Sequence, residues 1–338
     1  MGLPTPIATG LVLLLALLRP GVAAAQDAGS PLASGLDEIE KHYVLPIPRA
    51  ELERRALAAL LRELDPYSRY LDPADAKELD DDFGAVAGPS VQPLLASTAA
   101  AAVDANANAA AAAAAAGNDA DARWWIDRAR RIGYIRITEM ATDTATRVDA
   151  ALAALKRGHA RGVVLDLREC GGGLLRPALD VADLLVNKGL LLTLRERGRE
   201  TRFEATRGKY TRLPVAVLIN GHTASSAEIL AGALKDRGRA LLVGERSYGK
   251  GRIQTVYTLG GGRGGMVLST GTFERPNGRT IDRHDVAEDS TDAGITPDIV
   301  VAMDPIRLAA WRDAFTAPVR VAPTDDPALA RAQVLLSR

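Results

Sequence analysis

From residue 124 onward, short apolar runs alternate with segments in which apolar residues recur at helical spacing. The runs at 162–167 and 215–219 are almost wholly apolar, which is typical of strands buried on both faces of a parallel sheet. The segments at 174–186 and 229–234 have helical periodicity. Strands that alternate with helices indicate βαβ units. We therefore predict an α/β fold with a largely parallel sheet and flanking helices.

The region before residue 83 has a helical pattern throughout. Leu36, Ile39 and Tyr43 recur at helical spacing, and leucines between residues 52 and 64 continue the pattern. The sequence Asp65-Pro66-Tyr67-Ser68 then interrupts it with residues that favour a turn. We predict an N-terminal helical segment at 26–82.

Composition divides the rest of the chain. Between residues 97 and 122 more than half of the residues are alanine, and Val103 is the only large apolar side chain. A helix of this composition has no apolar face to bury. We interpret 83–123 as an Ala-rich linker, 124–303 as the core domain and 304–338 as a C-terminal helical tail.

The first 25 residues have the features of a secretory signal peptide. A short apolar block at 11–18 is followed by three alanines before Gln26, although no Lys or Arg precedes Arg19. The alternative is an uncleaved membrane anchor, but the block is shorter than the ~20 residues that span a bilayer. We expect 1–25 to direct export to the periplasm or cell envelope, with no stable membrane span in the mature chain.

Overall composition narrows the classes of partner. The 338 residues are 47% apolar and 25% charged, as in globular proteins with a sizeable core. The formal net charge is zero, so charge gives no indication of a nucleic-acid partner. Cys170 is the only cysteine, which excludes an intrachain disulfide.

Ser225 and Lys250 are the strongest candidates for chemistry. Ser225 lies between an apolar run and a helical segment, at the positive end of a helix dipole. Lys250 follows between two glycines, Gly249 and Gly251. A lysine accepts the proton of a serine hydroxyl only when burial keeps it neutral. The pair indicates a serine hydrolase with a lysine base, whereas each residue alone is more often a helix cap or a solvated turn.

Three glycines at 171–173 follow the predicted strand that ends at Leu167. Backbone amides in such a loop can stabilise an oxyanion, and the amide of Ser226 can act as a further donor. We therefore predict an oxyanion hole formed by Gly172, Gly173 and Ser226. The alternative is a tight connection or a phosphate-binding loop, although the glycine patterns of phosphate loops are absent.

These motifs resemble, in order and spacing, those of the carboxyl-terminal processing, or tail-specific, peptidases with a Ser/Lys active site. The segments that carry the resemblance are 64–71, 132–137, 165–173, 220–236, 244–251 and 294–298. The resemblance implies a crotonase-like or ClpP-like α/β core, Ser225 as nucleophile and Lys250 as general base. It also implies that Gln254 orients the lysine, as in some members. Asp236 matches an acid of other members, and we rank it below Gln254.

The chain departs from the family pattern at several positions. Ser226-Ala227 reverses the usual Ala-Ser order, and Glu169-Cys170 replaces paired asparagines. Cys170 is a rival nucleophile, and His222 is a rival base. Relatives usually carry a PDZ domain, which captures substrate C-termini by adding a strand to a sheet edge. The region at 83–123 is too short for that domain.

The combined prediction is an exported serine endopeptidase that hydrolyses peptide bonds of envelope proteins, without a cofactor or a metal ion. Its partners are polypeptide substrates rather than nucleic acid, and self-association or an adaptor protein is left open. The alternative is a catalytically weak or silent envelope scaffold that retains the protease fold. A third reading, an acyl-CoA enzyme, is disfavoured because export separates the chain from acyl-CoA.

Overall fold

The structure is a computed structural model that describes residues 30–82, 93–94, 125–127, 129–206, 211–284, 293–316 and 326–337. The predicted signal peptide at 1–25 and the alanine tract at 97–122 lie outside these residues. The chain divides into two compact units, residues 1–57 and 58–338. No helix among the described residues combines the length and the apolar character needed to cross a membrane.

The described part of the first unit is helical, as predicted for this region. It contains α1 (Pro31–His42) and the beginning of α2 (Arg49–Leu64). Proline at the first position of α1 is favoured because its missing N–H would have no partner there. Arg49 bonds to Asp37 of α1 and to Glu53 of α2, so the two helices are joined by an exposed ion-pair network.

The second unit contains the end of α2 and the remaining helices and strands. In chain order they are β1 (Arg69–Leu71), α3 (Pro73–Asp82), β2 (Pro93–Leu94), β3 (Trp125–Asp127), β4 (Ile132–Arg136), α4 (Thr144–Arg157), β5 (Gly162–Asp166), α5 (Leu175–Leu185), β6 (Gly189–Glu196), β7 (Arg199–Ala205), β8 (Val215–Ile219), α6 (Ser226–Asp236), β9 (Ala240–Gly244), β10 (Arg252–Thr258), β11 (Gly265–Glu274), β12 (Ile299–Val300), α7 (Pro305–Thr316) and α8 (Pro327–Leu336).

A six-stranded sheet in the order β12-β9-β8-β5-β4-β3 forms the centre of this unit. All its pairings are parallel except the one between β3 and β4. Helices α4, α5 and α6 supply apolar side chains to one core cluster, and α8 supplies them to the other. Both faces of the sheet are therefore buried, which explains the continuous apolar runs. The terminal helix expected from the sequence is α8.

A second, antiparallel sheet was not predicted. It has the order β2-β10-β11-β6-β7, and β1 also pairs with β11. The β6–β7 hairpin escaped sequence analysis because β7 is mostly polar and exposed, so it lacks the apolar run used to recognise a strand. The two described residues of the predicted linker, Pro93 and Leu94, form β2 and pair with Thr255 and Gln254 of β10.

Candidate active site

Ser225 lies between β8 and α6 in a backbone conformation that is rare for a residue with a side chain. Its φ is 59° and its ψ is −124°, and such a conformation costs on the order of 1–3 kcal/mol. The residue is only 1% exposed, and its Oγ atom is buried without a hydrogen-bond partner. The fold thus holds an unpaired hydroxyl on a strained strand-to-helix turn, as nucleophile turns do.

The glycine loop packs directly against this turn. Gly172 has a φ of 100°, and a Cβ atom built on it would lie 2.8 Å from the Cβ of Ser225. The amide of Ala224 donates to the carbonyl of Cys170 over 2.9 Å, and the amide of Met140 donates to the carbonyl of Gly172 over 2.7 Å. The close approach therefore requires glycine at position 172, and hydrogen bonds fix the loop from both sides.

The remaining predicted oxyanion donors flank the same turn. Gly173 has a φ of 131° and bridges to Met140 in parallel register. Ser226 is the first residue of α6, where backbone N–H groups have no partner within the helix. The loop that contains Gly172 thus lies beside Ser225 and the amide of Ser226.

Glu228 is a site residue that sequence analysis missed. Its Oε2 atom accepts hydrogen bonds from the amides of Ser225 and Lys250, each over 2.9 Å. Its Oε1 atom accepts from the Ser247 hydroxyl over 2.5 Å and from the Gly249 amide over 2.8 Å. The turn at Ser225 and the loop at Lys250 therefore share one carboxylate. The signal was present, because Ser and Glu three residues apart at a helix start are the sequence pattern of a capping box. Only the glutamate half of the box forms here, from Glu228 Oε2 to the Ser225 amide, and the Ser225 Oγ stays unpaired.

Glu228 is fully buried, and burial raises the pKa of its carboxyl above the usual value. Hydrogen bonds from Ser247 and from the amides of Lys250, Gly249 and Ser225 act in the opposite direction on that pKa. Four donors surround the two oxygens, and Ser247 itself accepts from the amide of Ile295 over 2.7 Å. This set of donors is complementary to the ionised carboxylate, which accepts hydrogen bonds and donates none.

Lys250 is 8% exposed, which agrees with the predicted burial. Burial, and after it the positive charge of Arg69, lower the pKa of its ammonium group to about 8. Asp282, Glu228 and Asp65 act in the opposite direction. The lysine Nζ lies 5.1 Å from the centroid of the Tyr67 ring. A pKa near 8 gives a substantial neutral fraction at physiological pH, which a lysine base needs.

Gln254 lies on β10 and is completely buried. Its Nε2 atom donates to the carbonyl of Arg252 and to the Ser269 hydroxyl, both over 3.3 Å. Its Oε1 atom is buried and has no hydrogen-bond partner. Likewise, no hydrogen bond reaches the Oγ atom of Ser225. Lys250 therefore makes no hydrogen bond to the Oγ of Ser225 or to the Oε1 of Gln254.

Glu169 joins the glycine loop to two other segments. Its φ is 60°, a left-handed conformation next to the glycines. Its amide donates to the Oδ1 of Asn220, and its Oε1 accepts from Asn220 Nδ2 over 2.7 Å and from Arg312 of α7 over 3.1 Å. Glu169 thus links the glycine loop to Asn220, which precedes the Ser225 turn, and to α7.

A family model described as peptidase family S41 matches residues 131–301, half of the chain. The chain belongs to peptidase family S41. The carboxyl-terminal-processing protease of Picosynechococcus sp. is 38% identical over 180 residues, which are 53% of this chain and 41% of the relative. The carboxy-terminal-processing protease of Bartonella bacilliformis is 40% identical over 177 residues, which are 50% and 38% of the two chains. The matches thus cover about two fifths of these relatives.

The fold agrees with this assignment to family S41. The solved structure of a photosystem II D1 C-terminal processing protease superposes with a TM-score of 0.56 and 22% identity, over 90% of this chain and 91% of that chain. At this identity the likeness concerns the fold. The family resemblance and the α/β fold class predicted from the motifs are confirmed.

The rival site residues of this S41 chain are placed unfavourably for chemistry. Cys170 is fully buried, and burial raises the pKa of its thiol to about 12, so its thiolate is scarce at neutral pH. His222 is exposed on the loop before Ser225. Asp236 ends α6, roughly 15 Å along the helix from Ser225, and pairs with Arg275.

Within the described ranges, no group of three or more His, Cys, Asp or Glu side chains is arranged to hold a metal ion.

Proposed function

We propose that this S41 chain is a serine endopeptidase in which Ser225 is the nucleophile and Lys250 the general base. One observation carries the proposal: the Glu228 carboxylate binds the amides of both residues. Two hydrogen bonds to this carboxylate connect the backbone of Ser225 to the backbone of Lys250. Ser225 is strained and has an unpaired hydroxyl, and Lys250 is buried. Neither group needs such an arrangement for stability, because a serine cap and a solvated lysine would serve the fold better.

The reaction follows from the protonation states. Neutral Lys250 accepts the Ser225 hydroxyl proton while Oγ attacks the peptide carbonyl carbon. The carbonyl oxygen becomes an oxyanion, and the Lys250 ammonium then donates its proton to the leaving amine as the peptide bond breaks. A water molecule hydrolyses the resulting ester, with Lys250 again accepting and returning a proton. Serine and lysine are thereby regenerated.

The amides of Gly172, Gly173 and Ser226 are the proposed donors to the oxyanion. The packing of Gly172 against the Cβ of Ser225 supports this role, since donors must lie beside the attacked carbonyl. Gln254 is the proposed acceptor that orients the Lys250 ammonium. Its unpaired, buried Oε1 supports that role, because such an atom gains stability from a donor.

The proposed substrates are flexible polypeptides of the cell envelope. The signal-like sequence at 1–25 supports export, and the similarity to carboxyl-terminal-processing proteases supports the peptidase activity. The short region at 83–123 supports cleavage without a PDZ domain. No cofactor takes part in the proposed reaction.

Covalent labelling by a fluorophosphonate, combined with peptide hydrolysis, tests the assignment. Ser225→Ala should abolish labelling, and Ser225→Ala and Lys250→Ala should each lower kcat by about 10³-fold or more. Ser226→Ala is the matched control, because its Oγ is also buried and unpaired but only its amide has a proposed role. Labelling that survives in Ser225→Ala, or a fully active Lys250→Ala, would contradict the proposal and favour the scaffold alternative.

A further inference from the structure

The turn at 65–69 lies outside residues 131–301, which match the S41 family model. Its Tyr67 ring nevertheless lies beside Lys250, and its Asp65 accepts a hydrogen bond from Ser269, the neighbour of Gln254. It connects the end of α2 to β1, which pairs with β11. The sequence analysis identified this segment only as a turn and a family motif. Its side chains face the two groups on which the proposed function depends.

Tyr67 covers the lysine. Its ring centroid lies 5.1 Å from Lys250 Nζ, and the ring of His284 meets it edge-on at 5.4 Å. The Tyr67 hydroxyl is buried without a hydrogen-bond partner, so the hydroxyl does not hold the ring in place. The face of an aromatic ring favours a cation, whereas the exclusion of water disfavours it. Since the pKa of Lys250 is lowered, exclusion of water is the larger effect.

Asp65 builds the turn and extends it toward Gln254. Its carboxylate accepts from the amides of Tyr67 and Ser68 and from the Ser68 hydroxyl. It also accepts from the Ser269 hydroxyl over 3.0 Å, and that hydroxyl accepts in turn from Gln254 Nε2. The amide of Ser269 donates to Ser68 Oγ over 3.0 Å. The chain Asp65–Ser269–Gln254 therefore fixes which end of the Gln254 amide is left unpaired.

We propose that the turn at 65–69 is a positioning element of the active site: Tyr67 shields Lys250 from water, and Asp65 orients Gln254 through Ser269. The proposal rests on the proposed function, since it assigns a role toward its general base. In this view the N-terminal segment is part of the catalytic apparatus. A protease core that lacks this turn would keep Ser225 but lose the environment of its base.

Several charged groups act on Lys250 besides the ring. Arg69 on β1 favours the neutral lysine, whereas Asp65, Asp282 and Glu228 favour the ammonium form. Arg283 and His284 lie near Tyr67. Loss of the Tyr67 ring or of the Arg69 charge should therefore raise the pKa of Lys250, whereas loss of the Asp65 charge should not.

The test is the pH dependence of the single-turnover rate of peptide cleavage by the full chain. For Tyr67→Ala, the midpoint of the rise should move upward by about one pH unit. Tyr67→Phe should restore the midpoint, because the hydroxyl has no bond to lose. Tyr70→Ala is the matched control, since Tyr70 lies on β1 but bonds to the carbonyl of Arg263 instead.

A purely structural role of Tyr67 would lower the rate at every pH and leave the midpoint unchanged, and that outcome overturns the shielding proposal. Arg69→Met should raise the midpoint and Arg69→Lys should not, which gives a second measurement if Tyr67→Ala fails to fold. If wild-type activity does not depend on Ser225 and Lys250, the proposed function itself fails. The two failures are distinguishable. When only the shielding proposal fails, activity still depends on Lys250 but the midpoint of the pH profile does not move.

The proposed orientation of Gln254 by Asp65 through Ser269 is tested by a double-mutant cycle. Ser269→Ala, which removes the hydroxyl that joins Asp65 to Gln254, should lower kcat by about tenfold with little change in KM, and in a Gln254→Ala background it should have no further effect. Fully additive losses would show that Ser269 does not act through Gln254. Circular dichroism and the unfolding midpoint of each variant establish that the fold is retained.

Discussion

The serine half of the site is fixed by its backbone, whereas the lysine half depends on side chains from distant parts of the chain. Ser225 has a strained φ, a glycine against its Cβ and a helix that begins at the next residue. Lys250 owes its lowered pKa to burial and to Arg69, which lies far away in the sequence. The Glu228 side chain hydrogen-bonds to both halves.

This difference predicts two kinds of sensitivity. A change in the serine half alters backbone geometry, so activity should fall sharply and at every pH. A change in the lysine half alters water access and charge, so activity should shift along the pH axis. This distinction would be contradicted by a change in the serine half that shifts the pH midpoint, or by a change in the lysine half that lowers activity equally at every pH.

Glu228→Gln should have the largest effect, because it disturbs both halves. The amide nitrogen of glutamine would face donors, which leaves buried N–H or O–H groups unpaired and costs about 1–3 kcal/mol for each. We expect a loss of kcat of more than a hundredfold and a lower free energy of unfolding, measured by peptide cleavage and by denaturant titration. Glu245→Gln is the control, since Glu245 accepts from the single amide of Met303. Equal effects of the two substitutions would refute the bridging role.

Gly172→Ala should impair the serine half alone. The new Cβ would lie 2.8 Å from that of Ser225, closer than van der Waals contact allows. Gly198→Ala is the matched control, because Gly198 also has a positive φ, of 77°, but has open space around its Cβ position. Both variants should lose about 1 kcal/mol of stability from backbone strain, and only Gly172→Ala should lose catalysis. If Gly172→Ala retained full activity, the glycine loop would have no role in catalysis.

The pH dependence of the wild-type rate tests whether Lys250 acts as the base. Below a pKa of about 8 Lys250 is protonated and cannot accept the serine proton, so the single-turnover rate should rise with pH through that value and level off above it. Gly172→Ala should lower the whole curve and leave its midpoint in place. A profile that is flat from pH 6 to 10 would exclude a lysine base.

Glu169→Gln should have the smallest effect of the four. Glutamine retains an acceptor for Asn220 but loses the ion pair with Arg312, which is partly exposed and so contributes about 0–1 kcal/mol. We expect a fall in kcat of about threefold at constant KM. Arg312→Met should give the same fall, and the double variant should add nothing to it. A larger loss in the double variant would show that the two residues act separately.

Local features of the sequence determined the parallel core and the serine half. Continuous apolar runs predict strands buried on both faces, and the junction before Ser225 predicts a helix N-terminus with exposed amides. Within the glycine loop, Gly172 and Gly173 have positive φ values, and a Cβ at either position would lie too close to neighbouring atoms. Even Glu228 could have been recognised, because a capping box is a local pattern.

Only the tertiary structure decided the lysine half. The pKa of Lys250 depends on which groups exclude water from it, and Tyr67 and Arg69 reach it through the antiparallel sheet that the sequence did not predict. The same packing placed Ser269 between Asp65 and Gln254. Desolvation and long-range charge arise from contacts between residues that are distant in the chain. No local pattern encodes them.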